Sequence, residues 1–268
     1  MSSDLFVSNI GFEYMKNWLC IITVAIGFFV PVVTGTEKIF EAAPVLKNTT
    51  KDTIIVSLGS HCEVANNFRK LGSRYFSTPV DWLLSLDHKG LTSLIARKFI
   101  AMFDEKFLYQ YPEGYVVNTH YNIDFRHDWP DNDLYKHLPS IKEKYERRIE
   151  RFFNLHEHSS KIFFVRSAFD NNLNVLNNMP FYTSSCRTVA ASEAQELYDV
   201  LEQKFSHVKF VLVIINYEEE KSPPIVGLKN IIEFKVSKLC KDEGYRTFTP
   251  LLIDPAFFDQ IYSSGVSK

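Results

Sequence analysis

Cys62, in the run Ser57-Leu58-Gly59-Ser60-His61-Cys62, is the first residue of this chain whose type and setting suit covalent chemistry. The β-branched apolar run from Thr53 to Val56 predicts a buried strand ahead of it, and Gly59 permits a tight bend. Val64, Ala65, Phe68 and Leu71 then share one face at helical spacing, and Gly72 stands where a left-handed C-cap is expected. Cys62 is therefore expected at the first turn of a helix that follows a strand. Unpaired backbone N–H groups and the helix dipole there favour a thiolate, the form of the side chain that attacks carbonyl carbon. A cysteine at such a junction also serves as a small buried hydrophobe, so the setting alone leaves both roles open. His61 is read as a loop histidine, because neighbouring side chains on extended backbone point to opposite sides.

A thiol nucleophile needs a base, and the histidines are few enough to weigh one by one. In Tyr121-Asn122-Ile123-Asp124-Phe125-Arg126-His127-Asp128-Trp129, alternation places Tyr121, Ile123, Phe125 and His127 on one side of a strand. His127 thus continues an apolar face, where it is either a core histidine with a satisfied hydrogen bond or the base. His120 and Asp128 fall on the opposite side. Asp81, between Val80 and Trp82, is expected to be a partly buried carboxylate that either orients an imidazole or bonds backbone amides. His156-Glu157-His158 looks like a metal cluster, but at the end of a fraying helix this spacing holds the rings apart. No metal and no cofactor is expected; neither a G-x-G-x-x-G nor a Walker loop is present.

The elements that must position these residues read as α/β. Leu91 to Phe107 predicts a helix, and Leu108 to His127 an aromatic, β-rich stretch. Ser140-Ile141-Lys142-Glu143 is read as a capping box opening an amphipathic helix whose inner face holds Ile141, Tyr145, Ile149, Phe152 and Phe153. Lys161 to Arg166, Val208 to Ile215 and Ile231 to Val236 predict strands, with a helix capped at Ser192 to Gln195 between the first two. Continuously apolar strands with intervening helices imply a mainly parallel sheet flanked by helices, a single three-layer domain spanning 52–268. Ligands of such sheets gather outside the carboxyl ends of the strands, where Ser60 to Cys62, Arg166 and Asn216 would lie.

The chain has 268 residues, 23 Phe, 13 Tyr and a net charge of -2, which suits one large core and gives no basic field for nucleic acid. Residues 1–17 form an amino-terminal tail. Trp18 to Thr34 is uncharged and apolar, and is read as a signal anchor or a cleaved signal peptide, with 35–51 as a stem. The expected localisation is membrane-anchored or secreted, with the domain extracytoplasmic or luminal and the membrane met only through this segment. An exported chain would allow Cys186 and Cys240 to pair, leaving Cys62 as the odd thiol.

Five pieces, S-L-G-S-H-C with F-R-K-L-G, P-V-D-W, Y-N-I-D-F-R-H-D, E-K-Y-E-R-R-I-E-R-F and K-I-F-F-V-R, resemble in order and spacing a family of domains of unassigned function described as papain-like cysteine peptidases. The resemblance spans roughly residues 53 to 236. It implies Cys62 as nucleophile, His127 as its base and then acid, and Asp128 and Asp81 as supporting acids. His61 stands where that family usually has Asn, and Val80 where it usually has Phe. The function expected is a cysteine-dependent hydrolase or acyl transferase acting on a peptide or on an acyl or glycan conjugate, with Trp82, Arg166 and His120 as supporting or substrate-binding residues. Two other classes compete: an anchored glycosyltransferase using Asp131 and Asp133 to hold a metal against a nucleotide diphosphate, and a binding domain without catalysis.

Overall fold

The computed structural model describes residues 53–60, 62–70, 74, 76–85, 87–112, 114–129, 133–168, 188–217 and 223–236, together with 241–242 and 245–246. In chain order the elements are β1 (Thr53–Ser57), α1 (Cys62–Lys70), α2 (His88–Ala96), β2 (Leu108–Gln110), β3 (Val116–Asn118), β4 (Ile123–Asp124) and α3 (Leu134–Phe153). There follow β5 (Lys161–Ser167), α4 (Ala191–Lys204), β6 (Lys209–Tyr217), β7 (Ile231–Val236), β8 (Lys241–Asp242) and β9 (Tyr245–Arg246).

β1, β5, β6 and β7 form a parallel sheet in that order, with Val56 beside Phe164 and Phe164 beside Leu212. Parallel strands buried on both faces need no polar alternation, and these have almost none. Ile54, Val56, Ile162, Phe164, Leu212 and Ile214 join the inner faces of α2, α3 and α4 in one core. On the opposite face Ile55, Phe163, Val165, Val211, Val213 and Ile215 are buried as well. The chain is α/β as the strand pattern implies. Strand order is also chain order, so the four strands contain no point at which the winding reverses. The crevice that such a reversal opens in doubly wound sheets is absent from these strands, and the rim must be shaped by loops instead.

β2, β3 and β4 form a small antiparallel sheet beside the main one. Its position is fixed by reciprocal backbone bonds of 2.9 Å between Leu84 and Asp124. Gly90 on α2 lies so near this unit that a Cβ there would stand 2.0 Å from the Tyr121 carbonyl oxygen.

Three predicted boundaries move, each for a local reason. The helix expected over 91–107 stops at Ala96, and Lys98, Phe99 and Ala101 take φ of 52°, 61° and 64°. Asn118, wholly buried, donates to the Ala101 and Met102 carbonyls at 3.0 and 2.9 Å, and the Tyr121 hydroxyl donates to Ile100. Those carbonyls therefore find donors outside a helix, which releases the chain into a turn. α3 begins at Leu134 rather than Ser140, because Asp133 accepts from the Lys136 N–H at 3.0 Å and caps it there. Pro139 is accommodated inside this helix, and Ser140 donates to the His137 carbonyl instead of capping. α4 begins at Ala191 behind Ala190, which has no side-chain acceptor; Glu193 reaches back to the Ala190 N–H at 2.9 Å, giving half a capping box.

The strand expected over Tyr121 to Trp129 is also shorter. It ends at Asp124, and Phe125 to Asp128 form a turn closed by Asp128 N–H to Phe125 C=O at 3.4 Å. Alternation therefore fails after Phe125. His127 is exposed instead of continuing the apolar face of Tyr121, Ile123 and Phe125.

Candidate active site

The turn that delivers Cys62 is tied to the end of β5 beyond the sheet ladder. Leu58 N–H donates to Val165 C=O at 2.8 Å and Ser167 N–H to Gly59 C=O at 3.1 Å, while the hydroxyls of Ser60 and Ser167 meet at 3.1 Å. Gly59 has φ +74°, and a Cβ there would lie 3.2 Å from Ser85 Oγ and 3.3 Å from the Val80 carbonyl oxygen. Only glycine suits both the backbone and the space. Cys62 then opens α1 as its first residue, with a free thiol, half-buried. Val64, Ala65 and Phe68 face inward as expected, and Glu63, Asn66 and Asn67 are buried with them.

Helix position does not make the resting thiol acidic. Burial pushes the Cys62 thiol above its ordinary value and outweighs its own backbone N–H; Glu63 raises it further and Arg69 lowers it. The direction is opposite to the one expected from the helix start, because desolvation disfavours the charged thiolate.

His127 reaches the same rim through a short relay of backbone. Ser85 N–H donates to Ser60 C=O at 2.7 Å, and Leu84 pairs with Asp124, so one strand of backbone separates the Cys62 turn from the His127 turn. Trp82, half-buried, lies beside both the His127 turn and Arg69 of α1. The His127 ring meets the indole edge-on with centroids 6.3 Å apart, and the Arg69 and Arg74 guanidinium groups lie 5.8 and 5.1 Å from its centroid. Among the described residues, no hydrogen bond joins Cys62 to His127.

The predicted acids are both engaged. Asp81 is buried; it accepts from Arg74 Nε and Nη2 at 3.0 and 2.7 Å, from the Thr78 N–H at 3.0 Å and from the Thr78 hydroxyl. Burial still raises its pKa against those partners. Of the two roles open to it, Asp81 takes the structural one and fixes the bend that presents Trp82. Asp128 accepts from the Tyr145 hydroxyl at 2.7 Å and from Lys144, pinning the His127 turn onto α3. Burial first, then Asp128, pushes the Tyr145 phenol well above its ordinary range.

Sequence reasoning missed Asp124, although it lies inside Y-N-I-D-F-R-H-D. It is wholly buried; Oδ2 pairs with Arg126 Nε and Nη2 at 3.1 and 2.8 Å. Oδ1 is buried with no hydrogen-bond partner among the described residues. Burial raises its pKa, and Arg126 and then His127 pull it down. The legible signal was an acid at the inner edge of the strand, two positions before an arginine and three before the histidine.

Other candidates lie elsewhere or do other work. Arg166 is wholly buried, donating to Leu58 C=O at 2.9 Å, to Ser85 Oγ at 2.8 Å, to the Ser85 carbonyl and to His88 Nδ1 at 3.2 Å. It braces the rim from within instead of offering a cation to solvent. His88, also unnoticed in the sequence, is held neutral with its pKa lowered to about 3, by burial first and Arg166 second. His120 stacks on Phe107 at 4.6 Å, bonds Arg97 at 3.0 Å and packs against Tyr121, not against Trp82 or Cys62. Asp133 is spent as the α3 cap, and Asp131 lies outside the described residues. Among the described residues no three His, Cys, Asp or Glu side chains converge on a metal position. A depression of about 340 Å3 between the 99–104 turn and Lys142, Glu146 and Ile149 contains none of the candidate residues.

His61, Gly72, the apolar segment 18–34, the stem, Cys186 and Cys240 lie outside the described residues. Among those that are described, no helix is long and apolar enough to cross a membrane.

Comparison with known proteins agrees with the motif resemblance. Residues 53–220 match the family described as "Putative papain-like cysteine peptidase (DUF1796)", and the chain belongs to that family. It is also similar to "Uncharacterized protein R408" of Acanthamoeba polyphaga mimivirus, with 25% identity over 192 residues, covering 62% of this chain and 79% of that one. No solved structure matches the chain significantly.

Proposed function

We propose that this protein is a cysteine-dependent hydrolase or acyl transferase of the peptidase type, with Cys62 as nucleophile and His127 as general base and then acid. The observation that carries the reading is the rim itself: a half-buried free thiol at a helix start and an exposed imidazole in a turn, joined by one intervening strand of backbone, with Trp82 beside both His127 and Arg69 of the thiol's helix. His127 removes the thiol proton as Cys62 attacks the carbonyl carbon, and returns it to the leaving group when the acyl-thioester forms. Water then releases the acyl group as acid, or another nucleophile takes it. The Cys62 and Glu63 backbone N–H groups, at the start of α1, are the donors available to the developing oxyanion. Asp124 is the acid we assign to orient His127: its Oδ2 is held by Arg126, its Oδ1 has no hydrogen-bond partner among the described residues, and the His127 charge acts on it. The reading requires the His127 ring to come within hydrogen-bond reach of the thiol, and substrate binding against Trp82 supplies the occasion.

Membership of the family supports the thiol reading at the level of its name. Burial of Cys62, which raises its pKa, favours the competing reading of a binding domain without catalysis. Incubation of the full chain with a panel of peptide and acyl thioesters, followed by intact-mass measurement, separates the two. An adduct on the wild type that disappears in Cys62→Ala and fails to turn over in His127→Ala is the expected result. An adduct absent from the wild type, or retained in Cys62→Ala, overturns the enzyme reading.

A further inference from the structure

Three acids near Trp82 each hold a cation. Asp81 takes Arg74, Asp124 takes Arg126 and Asp128 takes Lys144. Arg69 is left: it is exposed, bonds only the neutral Asn66 Oδ1 at 2.7 Å, and rests 5.8 Å from the Trp82 centroid. Among the described residues, no carboxylate lies within ion-pair reach of it. A guanidinium held in place by an amide and an indole, with its remaining donors toward solvent, has the form of a carboxylate receptor.

Its position relative to the thiol sets what it would read. Cys62 and Arg69 are seven residues apart on α1 and so share one face, since two turns take about 7.2 residues. The rise between them is about 10 Å, and a helical side chain leans toward the amino terminus, which brings the guanidinium back toward the sulfur. An extended peptide covers that distance in about three residues, at roughly 3.3 Å each.

We infer that Arg69 and Trp82 form a subsite for a substrate carboxylate about three residues from the bond that Cys62 attacks, so that the enzyme acts on acidic or carboxyl-terminal peptide segments. The inference rests on the catalytic reading above and adds the substrate class. Trp82 supports the apolar stem of the bound side chain, and Arg69 takes the carboxylate by paired N–H donors. Recognition at that distance also aligns the scissile carbonyl over the thiol.

The test uses the full-length protein and peptide vinyl sulfones, in which the thiolate adds at the vinyl carbon β to the sulfone, on the peptide side, while a proton goes to the carbon beside the sulfone. Two probes differ only in Glu or Gln at the third residue before the warhead. A second pair carries a free or an amidated carboxyl terminus at the matching distance on the other side. Iodoacetamide, which has no subsite contact, reports Cys62 reactivity itself. The expected result is labelling about tenfold faster for one acidic probe over its neutral partner, a ratio lost in Arg69→Gln and partly kept in Arg69→Lys, while the iodoacetamide rate, which falls as the Arg69 charge is withdrawn from the thiol, corrects each variant for intrinsic reactivity. Which pair shows the preference tells a side-chain carboxylate from a chain terminus. Equal rates within both pairs, or a preference that survives Arg69→Gln, overturn the subsite while leaving the thiol reading intact. Absence of Cys62 labelling by every reagent removes the catalytic reading and the subsite with it.

Discussion

The cluster around Arg166 and the cluster around Trp82 occupy the same rim of the same sheet and hold the same kinds of side chain, yet they differ in commitment. Around Arg166, the hydroxyls of Ser60, Ser85 and Ser167 and the His88 ring are buried within 8% exposure and bonded to one another or to backbone. Around Trp82, Arg69 and His127 face solvent, and Cys62 is half open. A serine, a histidine and an arginine together suggest catalysis by type, but in the first cluster the guanidinium and the serine hydroxyls are bonded within a dry core, and His88 is closed off from solvent with them. Chemistry needs groups that a substrate can reach, which is why the proposed site is the second cluster and the first is read as its support.

That contrast breaks first at Arg166. Arg166→Met removes the donor for Leu58 C=O, Ser85 Oγ, Ser85 C=O and His88 Nδ1 and strands them in a dry core. Urea unfolding is expected to show a loss of about 3 kcal/mol or more. An unchanged midpoint would mean that the brace is incidental.

Gly59→Ala is the next largest change. Its φ of +74° and the contacts of 3.2 and 3.3 Å put strain on any Cβ, and a loss of about 1 to 2 kcal/mol is expected.

His88 sharpens the same point through pH. Its folded pKa is lowered from 6.5 to about 3, so between those values the unfolded chain binds a proton that the folded chain refuses. Stability is then complete above 6.5 and is lost as pH falls through that window toward 3. Asp81 and Asp124, raised by burial, act in the opposite sense just above the ordinary carboxylate range. The comparison is therefore between wild type and His88→Gln, which keeps an acceptor for Arg166. The variant should lose less stability between pH 7 and pH 4, and parallel curves would refute the assignment.

The smallest effect belongs to the open cluster. Arg69→Gln touches an exposed side chain and should leave the unfolding midpoint within about 0.5 kcal/mol of wild type. A large loss there would show that this cluster, too, is structural.

Much of this architecture could be read from residue patterns. Buried runs such as Lys161 to Arg166 and Ile231 to Val236 announce parallel strands because both faces are covered, and their order follows chain order. Cys62 at the head of α1 followed from Gly59 and the spacing of Val64, Ala65 and Phe68. What local pattern could not carry was set by distant partners. α2 ends early because Asn118 binds carbonyls sixteen and seventeen residues upstream, and His88 meets Arg166 across 78 positions. Alternation misplaced His127 because the chain turns at Phe125, and the exposure that results is what leaves its ring available. The thiol pKa was misjudged because a helix dipole is legible in sequence and burial is not.

The pairing of Cys62 with His127 is tested most directly by the pH dependence of Cys62 alkylation in the wild type and in His127→Ala. If the imidazole deprotonates the thiol, the wild type should react about a hundredfold faster near neutral pH, with a limb that follows imidazole titration and vanishes in the variant. Superimposable profiles, both governed by a thiol raised above its ordinary value, would contradict the account.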